Sequence, residues 1–165
     1  MNPGHYYLAK QSGGIGQLAE VSVETRPTDD STSIAVSPEA FGWLKELYGP
    51  NAWEWSVCDD YRDAAIAGCR YAIANRKNED STPLDIRISK IKGHPAHTTW
   101  EAVAFAACFA VWNALADEGR NKPEFTHGKF TNLPKQTRSE QGGGGNAHEL
   151  HSHPSSAPPE ARATP

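Results

Sequence analysis

The feature that most restricts the fold of this chain is the apolar run AVAFAACFAVW, residues 102–112, within the longer segment HTTWEAVAFAACFAVWNALADEG. If the segment is helical, small or apolar side chains lie nearly all round it, so the helix must be buried inside a domain. Thr98 and Glu101 have the spacing of a capping box, which predicts the start of the helix. Gly119 is a helix-ending glycine, so we expect the helix to lie between Thr98 and Gly119. The apolar run is too short to cross a bilayer.

Four segments with alternating or β-branched residues predict strands that could cover this helix. The clearest is QLAEVSVETRP, residues 17–27, which stops at a proline. PLDIRISKIKG, residues 83–93, alternates apolar and charged side chains, which is typical of a half-buried strand. We also expect a short strand at residues 33–36 and one in AWEWSV, residues 52–57.

Two further segments predict helices. In SPEAFGWLKELYG, residues 37–49, Ser37 is the expected N-cap, Pro38 is the first helical residue and Gly49 follows the end. DDYRDAAIAGCRYAIANRK, residues 59–77, begins with acidic residues, ends with basic ones and is amphipathic. The order β-β-α-β-α-β-α predicts an α+β two-layer sandwich.

The composition predicts one cytoplasmic domain, residues 1–130, followed by a disordered tail, residues 131–165. The tail is rich in Gly, Ser, Pro and His and lacks the apolar residues that would offset the entropy of ordering it. A formal net charge of −4 provides no general basic field for nonspecific nucleic-acid binding. The 3 cysteines include no CxxC pair and no export signal is found, which favours a reducing cytoplasm over a disulfide framework or a zinc site.

A glycine-rich loop, KQSGGIGQ, residues 10–17, opens the first predicted strand. Glycines adopt backbone conformations closed to other residues and let a ligand approach closely, while Gln and Ser offer neutral hydrogen-bonding groups. Such a loop suits RNA that is recognised by shape through ribose and phosphate contacts. Out of context, a glycine-rich loop before a strand is more often a tight turn than a binding site.

The order of these segments resembles the fourth domain of translation elongation factor G and of the related ribosomal protection proteins. KQSGGIGQLAEVSV, DDYRDAAIAGCRYAIANR, DIRISKIKG and TTWEAVAFAACFAVWNAL follow one another as the family's segments do, over residues 10–115. The most specific element is the QSGGxGQ pattern at residues 11–17. The resemblance implies the ribosomal protein S5 domain 2-like fold, a mixed sheet with two helices on one face and a left-handed βαβ crossover, although ordinary parallel crossovers are right-handed.

In that family the domain performs no bond chemistry; it mimics the anticodon end of a tRNA and inserts two loop tips into the decoding site of the small ribosomal subunit. The resemblance therefore implies a non-catalytic module that binds ribosomal RNA or the small ribosomal subunit and modulates translation, without a cofactor, nucleotide, metal or membrane. The corresponding loops are residues 10–17 and 93–98. The implied RNA-binding residues are Lys10, Gln11, Ser12, Gly13, Gly14, Gly16, Gln17, His94, His97 and Thr98.

The chain also departs from the family pattern. Ile15 stands where the family often has a basic residue, and Pro95 and His97 stand where it favours acidic ones. The predicted helix at residues 37–49 has no counterpart, and the sequence contains no phosphate-binding motif of the kind found in the family's GTPase domain. These departures and the negative charge leave open an alternative, a protein-protein interaction module on the same scaffold that uses residues 38–48 and the tail.

Other candidate sites rest on weaker signals. His94 and His97 could bind a metal, but no carboxylate or cysteine is close enough in sequence to complete the site. A His-rich tract in the tail, residues 148–153, could hold a transition metal loosely. Of the tryptophans outside the predicted core faces, Trp100 beside the second loop is the one expected to stack on a base. An enzyme on this fold would need a phosphate loop that the sequence lacks.

Overall fold

The computed structural model describes residues 1–12, 14–52, 56–77, 82–94, 96–127 and 129–134. These ranges contain strands β1 (Asn2–Ser12), β2 (Ile15–Pro27), β3 (Ser33–Val36), β4 (Leu84–Gly93), β5 (Glu124–Thr126) and β6 (Lys129–Thr131). They also contain helices α1 (Gly42–Tyr48) and α2 (Ser56–Ala74), which lie between β3 and β4, and α3 (Trp100–Leu115), which follows β4. None of these helices combines the length and the apolar character that a membrane span requires.

Strands β1 to β4 form one sheet in the order β1-β2-β4-β3, and β5 and β6 form a separate hairpin. β3 runs parallel to β4, whereas β1 and β4 each pair antiparallel with β2. The α+β class with a mixed sheet is therefore confirmed. β1 was not among the expected strands; it pairs with β2 along its whole length, and this pairing overrides a sequence in which Pro3 and Gly4 weaken the strand pattern.

The sheet has one covered face and one open face. On β2, Val21 and Val23 are fully buried, while Glu20 and Glu24 on either side of them are partly exposed. α3 packs on β1 and β2, and α2 packs on α3 and touches β3 and β4. The two long helices therefore lie on the face that carries the buried residues, and the molecule has two layers.

α3 is the central buried element, as the apolar run predicts. A Cβ at Gly68 would overlap the carbonyl oxygen of Ala104, so α2 approaches the backbone of α3 more closely than any side chain would permit. The indole of Trp112 donates a hydrogen bond to the carbonyl of Ala72 at 3.0 Å, which satisfies its polar atom inside the core. The small residues Gly68 and Ala104 thus set the spacing between α2 and α3.

All three cysteines are buried and free, as expected of thiols on apolar helix faces. Burial raises the pKa of Cys69 to about 12. Burial also raises the pKa values of Cys58 and Cys108. These thiols therefore act as small apolar side chains in the core.

The strand expected in AWEWSV, residues 52–57, is wrong where the structure describes it. Ser56 and Val57 open α2, and residues 53–55 lie outside the described residues. The alternation of tryptophans indicated a strand, but the start of the long helix extends back over its end. α2 consequently begins and ends three residues before the expected bounds of 59–77.

The helix expected at residues 37–49 is shorter at its N-terminal end. Its N-cap is Phe41 and not Ser37. Ser37 instead continues the sheet, because its amide donates to the carbonyl of Ile88 in β4 at 2.8 Å. The C-terminal end agrees with expectation, since Gly49 follows the helix with a φ of 94°.

The expected end of the domain at residue 130 falls within β6, and Leu133 still packs partly against the core. The remainder of the expected tail, residues 135–165, lies outside the described residues, and so does the His-rich tract at residues 148–153.

Candidate functional site

The first candidate loop is the turn of the β1-β2 hairpin. Ser12 pairs with Ile15, and Gly14 lies in the turn between them with a φ of 83°. A Cβ at Gly14 would have no neighbour within 4 Å, so the left-handed backbone, and not a lack of space, favours glycine there. Gly13 lies outside the described residues.

The second candidate loop joins β4 to α3. The amides of His97 and Thr98 both donate to the carbonyl of His94, at 2.8 and 2.9 Å, which closes a tight turn. The amide of His94 donates in return to Oγ1 of Thr98 at 2.6 Å. A Cβ at Gly93 would lie 2.6 Å from the same oxygen, so only glycine lets the threonine side chain fold over the end of β4. Pro95 lies outside the described residues.

Hydrogen bonds hold the two loops side by side. The amide of Leu18 donates to the carbonyl of His97 at 2.8 Å, and the hydroxyl of Thr98 donates to the carbonyl of Leu18. The hydroxyl of Thr99 donates to Oε1 of Gln17 at 3.1 Å. The structure therefore brings both loops to one end of the sheet, which we name the tip: residues 10–12, 14–18, 93–94 and 96–99.

Residues near the N-terminal ends of the two long helices anchor the tip. The N-cap of α3 is Thr99, which accepts from the amide of Ala102 at 3.2 Å. The expected cap at Thr98 is wrong, because the hydroxyl of that residue is already bonded to the first loop. Tyr61 of α2 donates to the carbonyl of Thr98 at 3.2 Å. Burial raises the pKa of Tyr61, so its hydroxyl keeps the proton that it donates.

The two histidines of the second loop stack on each other. The ring centroids of His94 and His97 are 4.9 Å apart, and the ring planes differ by 27°. Gly16 lies against the ring of His97, since a Cβ there would be 3.5 Å from Nδ1. The amide of Ala96 donates to Nδ1 of His94 at 3.3 Å, so the neutral ring of His94 carries its proton on Nε2. Both histidine side chains are exposed.

The remaining tip residues give it a mainly neutral surface. Lys10 pairs with Gln17 and Gln11 pairs with Gly16, and the side chains of Lys10 and Gln11 are exposed. Neither loop contains an acidic residue in its sequence. The exposed side chains of Lys10, Gln11, His94 and His97 therefore offer one ammonium, one amide and two imidazoles at the tip, which is chemistry suited to phosphate and ribose oxygens.

The structure thus brings together most of the expected RNA-binding residues; for Ser12 it describes the backbone only. Sequence analysis missed Thr99 and Tyr61, which hold the second loop in place. The threonine doublet in GHPAHTT is the signal that could have indicated one threonine for the loop and the next for the cap. Trp100, the expected stacking residue, is half buried and packs against the core.

Within the described ranges, no three His, Cys, Asp or Glu side chains form a group that could hold a metal ion. No protein-family model matches the chain, and no curated protein matches its sequence. Among solved structures, the crystal structure of the Thermus thermophilus protein ttk003000868 matches with a TM-score of 0.47 and 18% sequence identity. The match covers 66% of this chain but 14% of that protein, so the chain spans a small part of its length. Similarity this low implies neither a function nor a fold family.

Proposed function

We propose that this protein is a non-catalytic module that binds RNA in the small ribosomal subunit through its tip and modulates translation, in the manner of the fourth domain of elongation factor G. The proposal is supported chiefly by one observation: the two loops that resemble those of the family, far apart in sequence, are tied together by the bonds between Leu18, His97 and Thr98. The absence of carboxylates from both loop sequences also favours an RNA ligand.

The fold proposed with this function is the ribosomal protein S5 domain 2-like one. The sheet order β1-β2-β4-β3, the parallel pairing of β3 with β4 and the two long helices on one face support it. In that fold the crossover from β3 through α2 to β4 is left-handed, opposite to the ordinary hand. No cofactor or nucleotide enters the proposed function, because the module acts by binding.

The direct test is co-sedimentation of the full chain with purified small ribosomal subunits on a gradient. We expect wild type to travel with the subunit and the double variant Gly14→Asp, His94→Ala to stay at the top. The Gly14→Asp change adds a negative charge at the turn without steric overlap, since nothing lies within 4 Å of a Cβ there.

Two variants control for shape and for charge. Gly14→Asn has nearly the same size and tolerates the same left-handed backbone, but adds no charge. Ser31→Asp adds the same charge to an exposed residue beyond the end of β2, at the opposite end of the sheet. Both should travel with the subunit. A wild-type protein that remains at the top of the gradient at low salt would refute the proposed function.

The alternative is a protein-protein interaction module on the same scaffold. It is favoured by α1, whose last two residues, Leu47 and Tyr48, are 67% and 56% exposed. Large apolar side chains exposed together are typical of interaction surfaces. If wild type does not bind the subunit, the variant Leu47→Glu becomes the probe for partners of α1.

A further inference from the structure

We infer that the stacked histidine pair at the tip seats one unpaired nucleobase on the face of His94 opposite His97. This inference rests on the proposed function and names the part of the RNA that the tip recognises. One face of the His94 ring is covered by His97 at a centroid distance of 4.9 Å, and the side chain is exposed. A flat, exposed ring that is supported on one face is a stacking platform, and every base offers a π-face to it.

The platform is held in place by the fold and does not depend on the ligand. Nδ1 of His94 accepts the amide of Ala96 at 3.3 Å, which fixes the rotation of the ring. The ring of His97 is backed by Gly16 of the neighbouring loop, at 3.5 Å from a Cβ position there. Because the ring is ordered before binding, little conformational entropy is lost when a base stacks on it.

The hydrogen-bonding pattern of His94 adds a second element of recognition. With Nδ1 occupied as an acceptor, the neutral imidazole presents the Nε2 proton as a donor at its outer edge. That donor can reach a phosphate or ribose oxygen of the stacked nucleotide or of the next one. A paired base inside a duplex cannot offer its face, so the tip selects single-stranded RNA, as in a loop, bulge or end.

The experiment uses the full chain and a short oligouridine that carries a single 2-aminopurine. Uridines stack weakly, so the free probe is bright, and stacking on His94 should quench it. The informative pair of variants is His94→Phe, which keeps a flat aromatic face, and His94→Leu, which has similar bulk but no π-system. We expect His94→Phe to retain quenching and His94→Leu to lose it, with Kd raised at least about five-fold, the lower end for loss of one base stack.

A second readout separates stacking from mere proximity. In the proton NMR spectrum, the ring protons of His94 should shift upfield as RNA is added, and those of the covered ring of His97 should shift less. Thermal unfolding of each variant checks that the exposed change has left the fold intact.

The inference and the proposed function can fail separately. If wild type co-sediments with small subunits but fails to bind the oligouridine at low salt, the stacking inference is overturned and the proposed function stands. Equal binding by the Phe and Leu variants also overturns it. If wild type binds neither the subunit nor the oligouridine, both fail.

Discussion

The hydroxyl of Thr98 is the link on which the geometry of the tip depends, and replacing it with a methyl group tests this. Thr98 donates to the carbonyl of Leu18 in one loop and accepts the amide of His94 in the other. Thr98→Val keeps the shape of the side chain and removes both hydrogen bonds. Two backbone groups then lose their partners in a position where the side chain is only 9% exposed.

The expected loss of stability follows from the cost of leaving such groups unpaired. A buried donor or acceptor without a partner costs about 1–3 kcal/mol. Since the His94 side of the loop is open to water, we take the lower part of that range for its amide and expect about 2–3 kcal/mol in all. For a domain of this size, that loss lowers the melting temperature by roughly 5–10 °C.

Urea unfolding measures the global change, and amide hydrogen exchange shows where it arises. The matched control is Thr25→Val: Thr25 is 1% exposed in the same sheet, but its hydroxyl makes one long bond, 3.4 Å, to the carbonyl of Asn2. The control should cost less than about 1 kcal/mol. If Thr98→Val is no more destabilising than Thr25→Val, or if the amide of His94 exchanges no faster, the link does not hold the tip.

Three further predictions concern the core and the open face of the sheet. Gly68→Ala should destabilise by more than about 3 kcal/mol in thermal unfolding, because its Cβ would overlap the carbonyl of Ala104. Cys69 should not react with Ellman's reagent at pH 8 until urea unfolds the chain, since burial raises its pKa to about 12. Burial alone would raise the pKa of Glu20. Hydrogen bonds from Lys90 and His5 outweigh this effect of burial and hold the pKa below 4.5. The ionised carboxylate of Glu20 therefore stabilises the fold above pH 4.5, and this stabilisation is lost as the pH falls through the lower pKa of the folded state. Glu20→Gln should therefore lose less stability than wild type as the pH is lowered through this range.

Each of these three predictions has a control or a result that would contradict it. Gly42→Ala in α1, where a Cβ meets nothing within 4 Å, should be neutral or slightly stabilising, and equal losses at both glycines would contradict the packing argument. Fast labelling of Cys69 in the native protein would show that the core opens readily. An unchanged acid limb in Glu20→Gln would show that the hydrogen bonds to the carboxylate do not stabilise the folded state.

The elements that could be predicted are those in which the pattern of apolar residues in the sequence follows directly from which side chains are buried. The apolar run predicted α3, and the alternation of Leu84, Ile86 and Ile88 predicted β4, because both patterns reflect the packing that the sequence must satisfy. β1 could not be predicted in this way. Its outward positions include Tyr7, which is 53% exposed on the open face, and its hydrogen bonds go to a strand that lies later in the sequence.

The errors at helix ends have a different physical origin. Ser37 and Thr98 both have the residue type of an N-cap, but the hydroxyl of Ser37 accepts from Arg87 in β4 and that of Thr98 donates to Leu18 in the other loop. In α3 the N-cap is therefore the next residue with a capping side chain, Thr99. In α1 the N-cap is Phe41, which has no capping side chain. Tertiary hydrogen bonds therefore decide between neighbouring candidates that local preference cannot distinguish.

The same competition explains why the candidate site could be predicted as two loops but not as one tip. The glycines and histidines were visible in the sequence, whereas their contact depends on the register of β2 with β4, which places Ala19 opposite Gly93. That register brings Leu18 within reach of the second loop, and Tyr61 of α2 then ties the same loop to the helical layer. Hydrogen bonds from both layers therefore hold the tip. A substitution such as Gly68→Ala that separates α2 from α3 should therefore weaken the proposed RNA binding as well as stability.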